Sequence, residues 1–417
     1  MDCVIVGGGA AGFQAAFSAR KRWPDKTVAL LDAEMEIGYY RPLLPQFIVD
    51  TVAESKLFFL RPGEDPMLTV RSGVAVTSLD RTEQQLHLAG GETLPYKRLV
   101  LACGGRPIVP PICPGTECSG VFPVRYLAAA RAAKKWIPDH PQIVVLGGGL
   151  VGVKTAAHLA HAGLDVTVIE KENSLLPRAL SPAAAAPVKA HLERLGIKVV
   201  PGCSVDEVIS ENRLLKAVRA GSQWIPCQTL LVAAGSVPNV GFLEGSGLLE
   251  NAKLVVSADL RTLDEKIYAI GDAVFIKGDD VVTPWTWPQA VCQGKLAGCN
   301  IFDPSPAPLK ALSRVNAMNL FGLYLVILGV PRADTETIAY GDPGRGVYRE
   351  VFVKGGRIVG GAIVGDISGA GRLHALIVSG QQVGKGDPDF LKPRLRAFSH
   401  PAWDAAARLR QACFLPA

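Results

Sequence analysis

The chain has no long apolar run. Its longest stretch of interest, Leu320–Val330, carries no charge but falls well short of the roughly 20 residues a membrane helix needs. Gly322 and Gly329 interrupt it, so it reads as buried strand, and no transmembrane segment is expected. A secretory leader is missing as well, because Val4-Ile5-Val6 reads as a buried strand directly after the first Met. The nine cysteines are odd in number and dispersed, which argues against a disulfide scaffold and points to a reducing cytoplasm. Positive charge is modest, at a net +6, with short clusters at Arg20-Lys21-Arg22 and Lys134-Lys135. No nucleic-acid partner is therefore expected, although a mild pull on an acidic protein remains. His158 and His161 fall two ligands short of a structural metal site, so no metal is expected. Ser181 and Ser204 sit in no strand-to-helix elbow. With 48% hydrophobic and 20% charged residues, the composition is that of a folded α/β protein, and 417 residues suggest two or three domains.

The chain does contain one unit written twice. Val4-Ile5-Val6 is an apolar strand, followed by Gly7-Gly8-Gly9-Ala10-Ala11-Gly12, a helical stretch to Trp23, and a second strand, Thr27–Leu31, ending at Asp32. In this G-x-G-x-x-G pattern Gly7 permits a tight turn, Gly9 lets backbone approach a pyrophosphate, and Gly12 lets helix pack on strand. The helix start offers unpaired N–H groups to phosphate, and Asp32 is placed to accept hydrogen bonds from ribose hydroxyls. The pattern recurs 140 residues later. Ile143–Leu146 leads into Gly147-Gly148-Gly149-Leu150-Val151-Gly152, a helix to about Ala162 closed by Gly163, and a strand Val166–Ile169 ending at Glu170. A carboxylate at that strand end repels a 2′-phosphate, so Glu170 favours NADH over NADPH. A further echo pairs Leu99–Pro107 with Leu230–Pro238. Each is an apolar strand running into small residues, Gly235 among them, where bulk would strike a bound dinucleotide.

On these residues the chain resembles the two-dinucleotide flavoprotein family, the pyridine nucleotide-disulfide oxidoreductase superfamily, most closely its rubredoxin-reductase-like and NADH-oxidase-like branch. Gly7, Gly9 and Gly12 with Asp32 resemble the family's FAD fingerprint, with Ala11 and Val76 read as further FAD contacts. Tyr39–Pro45 is similar to the segment whose Arg, here Arg41 followed by Pro42, lies against the FAD phosphates. Ile267–Ala273 looks like the second FAD motif, in which Asp272 after Gly271 would bond the ribityl chain. Trp287-Pro288-Gln289-Ala290 and Gln293-Gly294 resemble the helix start facing the flavin pyrimidine. Gly147, Gly149, Leu150, Val151, Gly152 and Glu170 would hold NADH. The resemblance implies two Rossmann-like three-layer α/β domains. The FAD domain would be discontinuous over 1–112 and 243–308, with the NAD(P)H domain inserted at 113–242 and a C-terminal α+β interface domain at 309–417. Proline-rich stretches at Pro107–Pro114 and Pro304–Pro308 agree with those boundaries.

Two departures shape the expected chemistry. The segment Gly38–Val49 lacks the redox cysteine that peroxidase-like and oxidase-like relatives carry there. Cys113 and Cys118 have C-x4-C spacing but lie in the linker, Cys103 reads as a packing substitute, and Cys292 and Cys299 as a buried helix face. Without a thiol relay, electrons from the flavin must go directly to an external acceptor. The resemblance points to rubredoxin, ferredoxin or a partner redox subunit, and leaves a homodimer open. The second departure is Lys154, where the family usually has Glu, with Gln46 near the position of its partner Lys. An exchange of polarity that keeps a cation beside the nicotinamide makes Lys154 the candidate catalytic residue; the competing reading is a solvated lysine. Two alternatives to the electron-transferase reading stand. One is an NADH oxidase, diaphorase or peripheral NADH:quinone reductase, the last suggested by the basic and apolar tail Phe390–Ala417. The other is a flavin-bearing sensor or assembly subunit with negligible turnover.

Overall fold

The computed structural model describes residues 1–59, 66–110, 118–277, 286–309, 315–329 and 334–382. Cys113, part of the Pro107–Pro114 stretch, and the tail from Phe390 lie outside the described residues. Two parallel five-stranded sheets dominate. The first runs in the order Ile267–Ala269, Arg98–Leu101, Cys3–Val6, Val28–Asp32, Leu68–Ser72. The second runs Val121–Pro123, Thr229–Val232, Gln142–Leu146, Asp165–Glu170, Lys198–Pro201. Four strands follow the same order in both, while the outer strand beside them is the last of the first unit and the first of the second; the central strands are continuous apolar runs because both faces of a parallel sheet are covered. Cys3, Val4 and Ile5 are wholly buried, and so is Val145 in the matching strand.

The duplication goes further than the sheets. After its outer strand each unit inserts a three-stranded antiparallel meander, Val76–Asp80 with Gln85–Leu88 and Thr93–Pro95 in the first, and Val205–Glu211 with Leu214–Ala220 and Gln223–Pro226 in the second. The short strands Gly105–Pro107 and Ser236–Pro238, which follow the two echoed apolar strands, pair antiparallel with each other. The two crossings between the units thus form one ribbon, which the sequence echo did not reveal.

A third region, from Val315 on, is an antiparallel sheet ordered Val315–Asn319, Tyr324–Leu328, Arg357–Val364, Val347–Lys354, Glu336–Asp342, with the helix Ala370–Ser379. Leu320–Val330 accordingly contains a buried strand, with a hairpin turn at Gly322. One apolar cluster joins all three regions: Leu44, Phe47 and Ile48, then Val153 and Ala157, then Leu325 and Val364. The wholly buried Glu350 reinforces that join by accepting from the Ser181 N–H and Oγ at 3.1 and 2.5 Å. Ser181 caps the helix Pro182–Arg194.

Candidate functional site

Each glycine cluster turns from strand to helix with nearly the same geometry. Gly7 and Gly147 have φ of +111° and +109°, a region that L side chains rarely adopt. A methyl group at Gly12 would sit 1.8 Å from the Gly7 carbonyl oxygen, and one at Gly152 would sit 1.8 Å from that of Gly147. Helix and strand meet this closely only because those positions are bare. At the strand ends, Asp32 accepts from the Gly8 N–H at 2.5 Å and the Glu34 N–H at 2.7 Å. Glu170 accepts from the Gly148 N–H at 2.6 Å and the Glu172 N–H at 2.9 Å. Burial raises the Asp32 carboxyl above its ordinary range, while the Glu34 and Gly8 amides pull the other way.

One continuous cleft of about 2570 Å³ runs from the first turn to the second and under the C-terminal sheet. Every candidate site residue lines it except Gly12 and Gly152, which face into their own turns. Backbone at Gly9 and Gly149 is open, since a methyl at either would meet nothing within 4 Å. Gln289 Nε2 and Trp287 Nε1, on the cleft wall, are buried donors without a hydrogen-bond partner. Buried donors need acceptors, and a group rich in carbonyl oxygens, such as a flavin, supplies them. The residues present therefore fit FAD at the first turn and a dinucleotide at the second.

The charged candidates are tied together. Arg41 donates to Glu34 at 2.5 Å and to the Arg125 carbonyl at 2.9 Å. Asp272 pairs with Arg125 at 3.0 Å. Arg125 and Glu34 were not singled out from sequence: Arg125 is set by its distant partner Asp272, and Glu34 by the loop that brings Tyr39 and Arg41 back onto it. Lys154 is half-buried and donates from Nζ to the Pro42 carbonyl at 2.6 Å, a bond exposed on the cleft wall. Burial lowers its pKa to about 8. Gln46 lines the same cleft, and its Oε1 has no partner.

Cysteines follow the expected pattern with one difference. Burial pushes Cys103 up to about 12, which suits packing rather than attack. Cys292 and Cys299 are half-buried, and Cys292 lines the cleft, because the packed stripe of their helix is Gly294, Ala297 and Gly298. Among the described residues no cluster of His, Cys, Asp and Glu is placed to hold a metal, and no helix is long and apolar enough to cross a membrane.

Two dinucleotide turns opening on one cleft define a flavoprotein that couples two nucleotides. Residues 1–294 match the family model described as pyridine nucleotide-disulphide oxidoreductase, and 315–381 match the rubredoxin NAD+ reductase C-terminal domain. An NADH oxidase of Methanocaldococcus jannaschii is 29% identical, covering 91% of each chain. A rubredoxin-NAD(+) reductase of Pseudomonas putida is 30% identical over 78% of this chain and 86% of its own. The solved covalent putidaredoxin reductase-putidaredoxin complex shares the fold, with a TM-score of 0.86 at 23% identity over 93% of this chain and 95% of that one. The chain belongs to the pyridine nucleotide-disulphide oxidoreductase family, and it is an FAD-dependent NAD(P)H oxidoreductase whose cofactors are FAD and NADH.

Proposed function

We propose that this enzyme is an NADH-dependent reductase whose electron acceptor is a small iron protein such as rubredoxin or ferredoxin, or a partner redox subunit. The observation that carries this reading is the single cleft shared by both glycine turns, with no cysteine in the Gly38–Val49 segment to intercept electrons. When bound, FAD supplies the conversion of a hydride into single electrons. The chain's own residues bind and orient. Gly7, Gly9, Ala11 and Asp32 would hold the FAD adenosine and pyrophosphate, with Gly12 letting helix and strand meet behind them, and Arg41, Pro42, Val76, Gly271, Asp272, Gln289 and Ala290 would contact the rest of it. Gly147, Gly149, Leu150, Val151, Glu170 and Gly235 would hold NADH, with Gly152 letting helix and strand meet behind them. Domain limits of 1–112 with 243–308, 113–242 and 309–417 suit the two sheets and the C-terminal sheet. The names of the P. putida relative and of the putidaredoxin reductase complex support the choice of acceptor. A cytoplasmic setting suits the free state of all seven described cysteines.

The test is steady-state NADH oxidation with rubredoxin, ferredoxin, a quinone and oxygen offered in parallel. Fastest turnover with an iron protein supports the reading. Fastest turnover with oxygen would transfer it to the NADH oxidase alternative, which the name of the M. jannaschii relative favours.

A further inference from the structure

Lys154 stands one turn into the helix Leu150–His161 that follows the second glycine turn. Its ammonium reaches across the cleft to a carbonyl 112 residues away in sequence, that of Pro42. Pro42 lies in the turn Arg41–Leu43 on the first unit, and the helix Leu44–Ile48 continues directly from it. That short helix packs through Leu44, Phe47 and Ile48 into the same apolar cluster as Val153 and Ala157. A single side chain thus bonds the nucleotide helix of one unit to the segment bordering the nucleotide cleft of the other.

A lysine held this way is expensive for the fold. Burial lowers it to about 8, and no anion compensates. His158, one turn on, is itself pushed down to about 4 by burial, then by Lys154 and His161, so it stays neutral where Lys154 is charged. The helix Leu44–Ile48 carries no ionisable side chain. On the facing turn, Arg41 is held by Glu34. Beyond them, Lys134 pairs with Asp50, Arg131 with Glu36 and Glu54, and Glu170 with backbone amides. The C-terminal hairpin presents Phe321 against His158 and His161. A cation on the cleft wall that bonds one unit to the backbone of the other is placed to govern how the two units meet.

We propose that Lys154 is an interdomain positioning residue: its bond to the Pro42 carbonyl latches the NADH helix to the FAD-side segment and sets the approach of nicotinamide to flavin. The inference rests on the two-nucleotide reading above. It replaces the idea of Lys154 as a catalytic group with one acting through backbone placement. A charge-assisted bond is about twice as strong as a neutral one. The latch is therefore tight when Lys154 is protonated and slackens as pH rises through about 8.

The experiment compares FAD-loaded full-length wild type, Lys154→Met and Lys154→Arg by anaerobic mixing with NADH, by melting, and by amide hydrogen exchange of the cofactor-free chain. Lys154→Met should lower the limiting rate of flavin reduction at least about tenfold, since an ångström of misplacement costs up to about a hundredfold. The NADH Kd should hold and Tm should stay close to wild type, because the bond removed is exposed to solvent. Lys154→Arg should restore much of the rate. The wild-type rate should decline above pH 8, and the Lys154→Met rate should not. Amides of residues 43–49 should exchange faster in Lys154→Met. An unchanged reduction rate with unchanged exchange overturns the latch, and so does a rate loss matched by a fall in Tm. If NADH fails to reduce wild type while exchange still responds, the latch stands and the functional reading falls.

Discussion

The two glycine units are built to one plan and finished differently. Turn dihedrals, strand-end carboxylates and inserted meanders correspond closely, yet Ala11 is 6% exposed and its counterpart Val151 is 47% exposed. The difference comes from the helix Trp287–Asn300, which packs on Ala11 and has no equivalent against Val151 among the described residues. Gly294 and Gly298 let it lie so close that a methyl at either would come within 2.2 Å of the Ala11 carbonyl oxygen or 2.3 Å of that of Ala15. The flank of the first nucleotide helix is covered by packed helix, while the matching flank of the second is exposed at Val151, although both glycine turns open on the cleft. That asymmetry suits a resident FAD and an exchanging NADH.

The comparison breaks most sharply at the third glycines. Gly12→Ala should yield protein without flavin. Gly152→Ala should keep its flavin and lose NADH reduction by up to about 100-fold, as misplacement of a bound reactant does; flavin absorbance and anaerobic mixing read both. Next in size is the covering helix. Gly294→Val should lower stability by about 1–3 kcal/mol through overpacking and release flavin on dilution. Val151→Ala on the exposed counterpart should stay within about 0.5 kcal/mol; melting curves with flavin release decide. Smaller still, Glu170→Ser should reduce the NADH-over-NADPH preference by about 10-fold, the weight of a charge-assisted hydrogen bond. Asp32→Ser should leave that preference alone and weaken flavin retention.

A separate effect concerns acid. The His158 imidazole is depressed from its ordinary 6.5 to about 4, by burial first. The unfolded chain therefore binds the proton more readily, and stability is lost as pH falls from 6.5 toward 4, then levels. His158→Gln should flatten that part of the stability profile, as denaturant melts between pH 4 and 7 would show.

The sequence made legible what is local. Glycine turns, apolar parallel strands, strand-end acids and the Gly271-Asp272 turn each lie within a few consecutive residues, and the structure brings them to one cleft. What stayed hidden depends on distant partners. Nothing in Gly105–Pro107 says that it pairs with Ser236–Pro238. The strand Val205–Glu211 is largely exposed, so it lacks the alternation that marks a strand. Arg125 on Asp272 and Lys154 on Pro42 are contacts across the cleft. Cys292 and Cys299 share one helix, but which face packs was decided by the small residues beside them.

The central claim is that two glycine turns opening on one cleft hold two different nucleotides. Anaerobic titration of the flavin-reconstituted protein with NADH, after gel filtration, tests it most directly. The account predicts one FAD retained per chain and bleached by one equivalent of NADH. Protein that emerges colourless, or that keeps a flavin which dithionite bleaches and NADH does not, would contradict it.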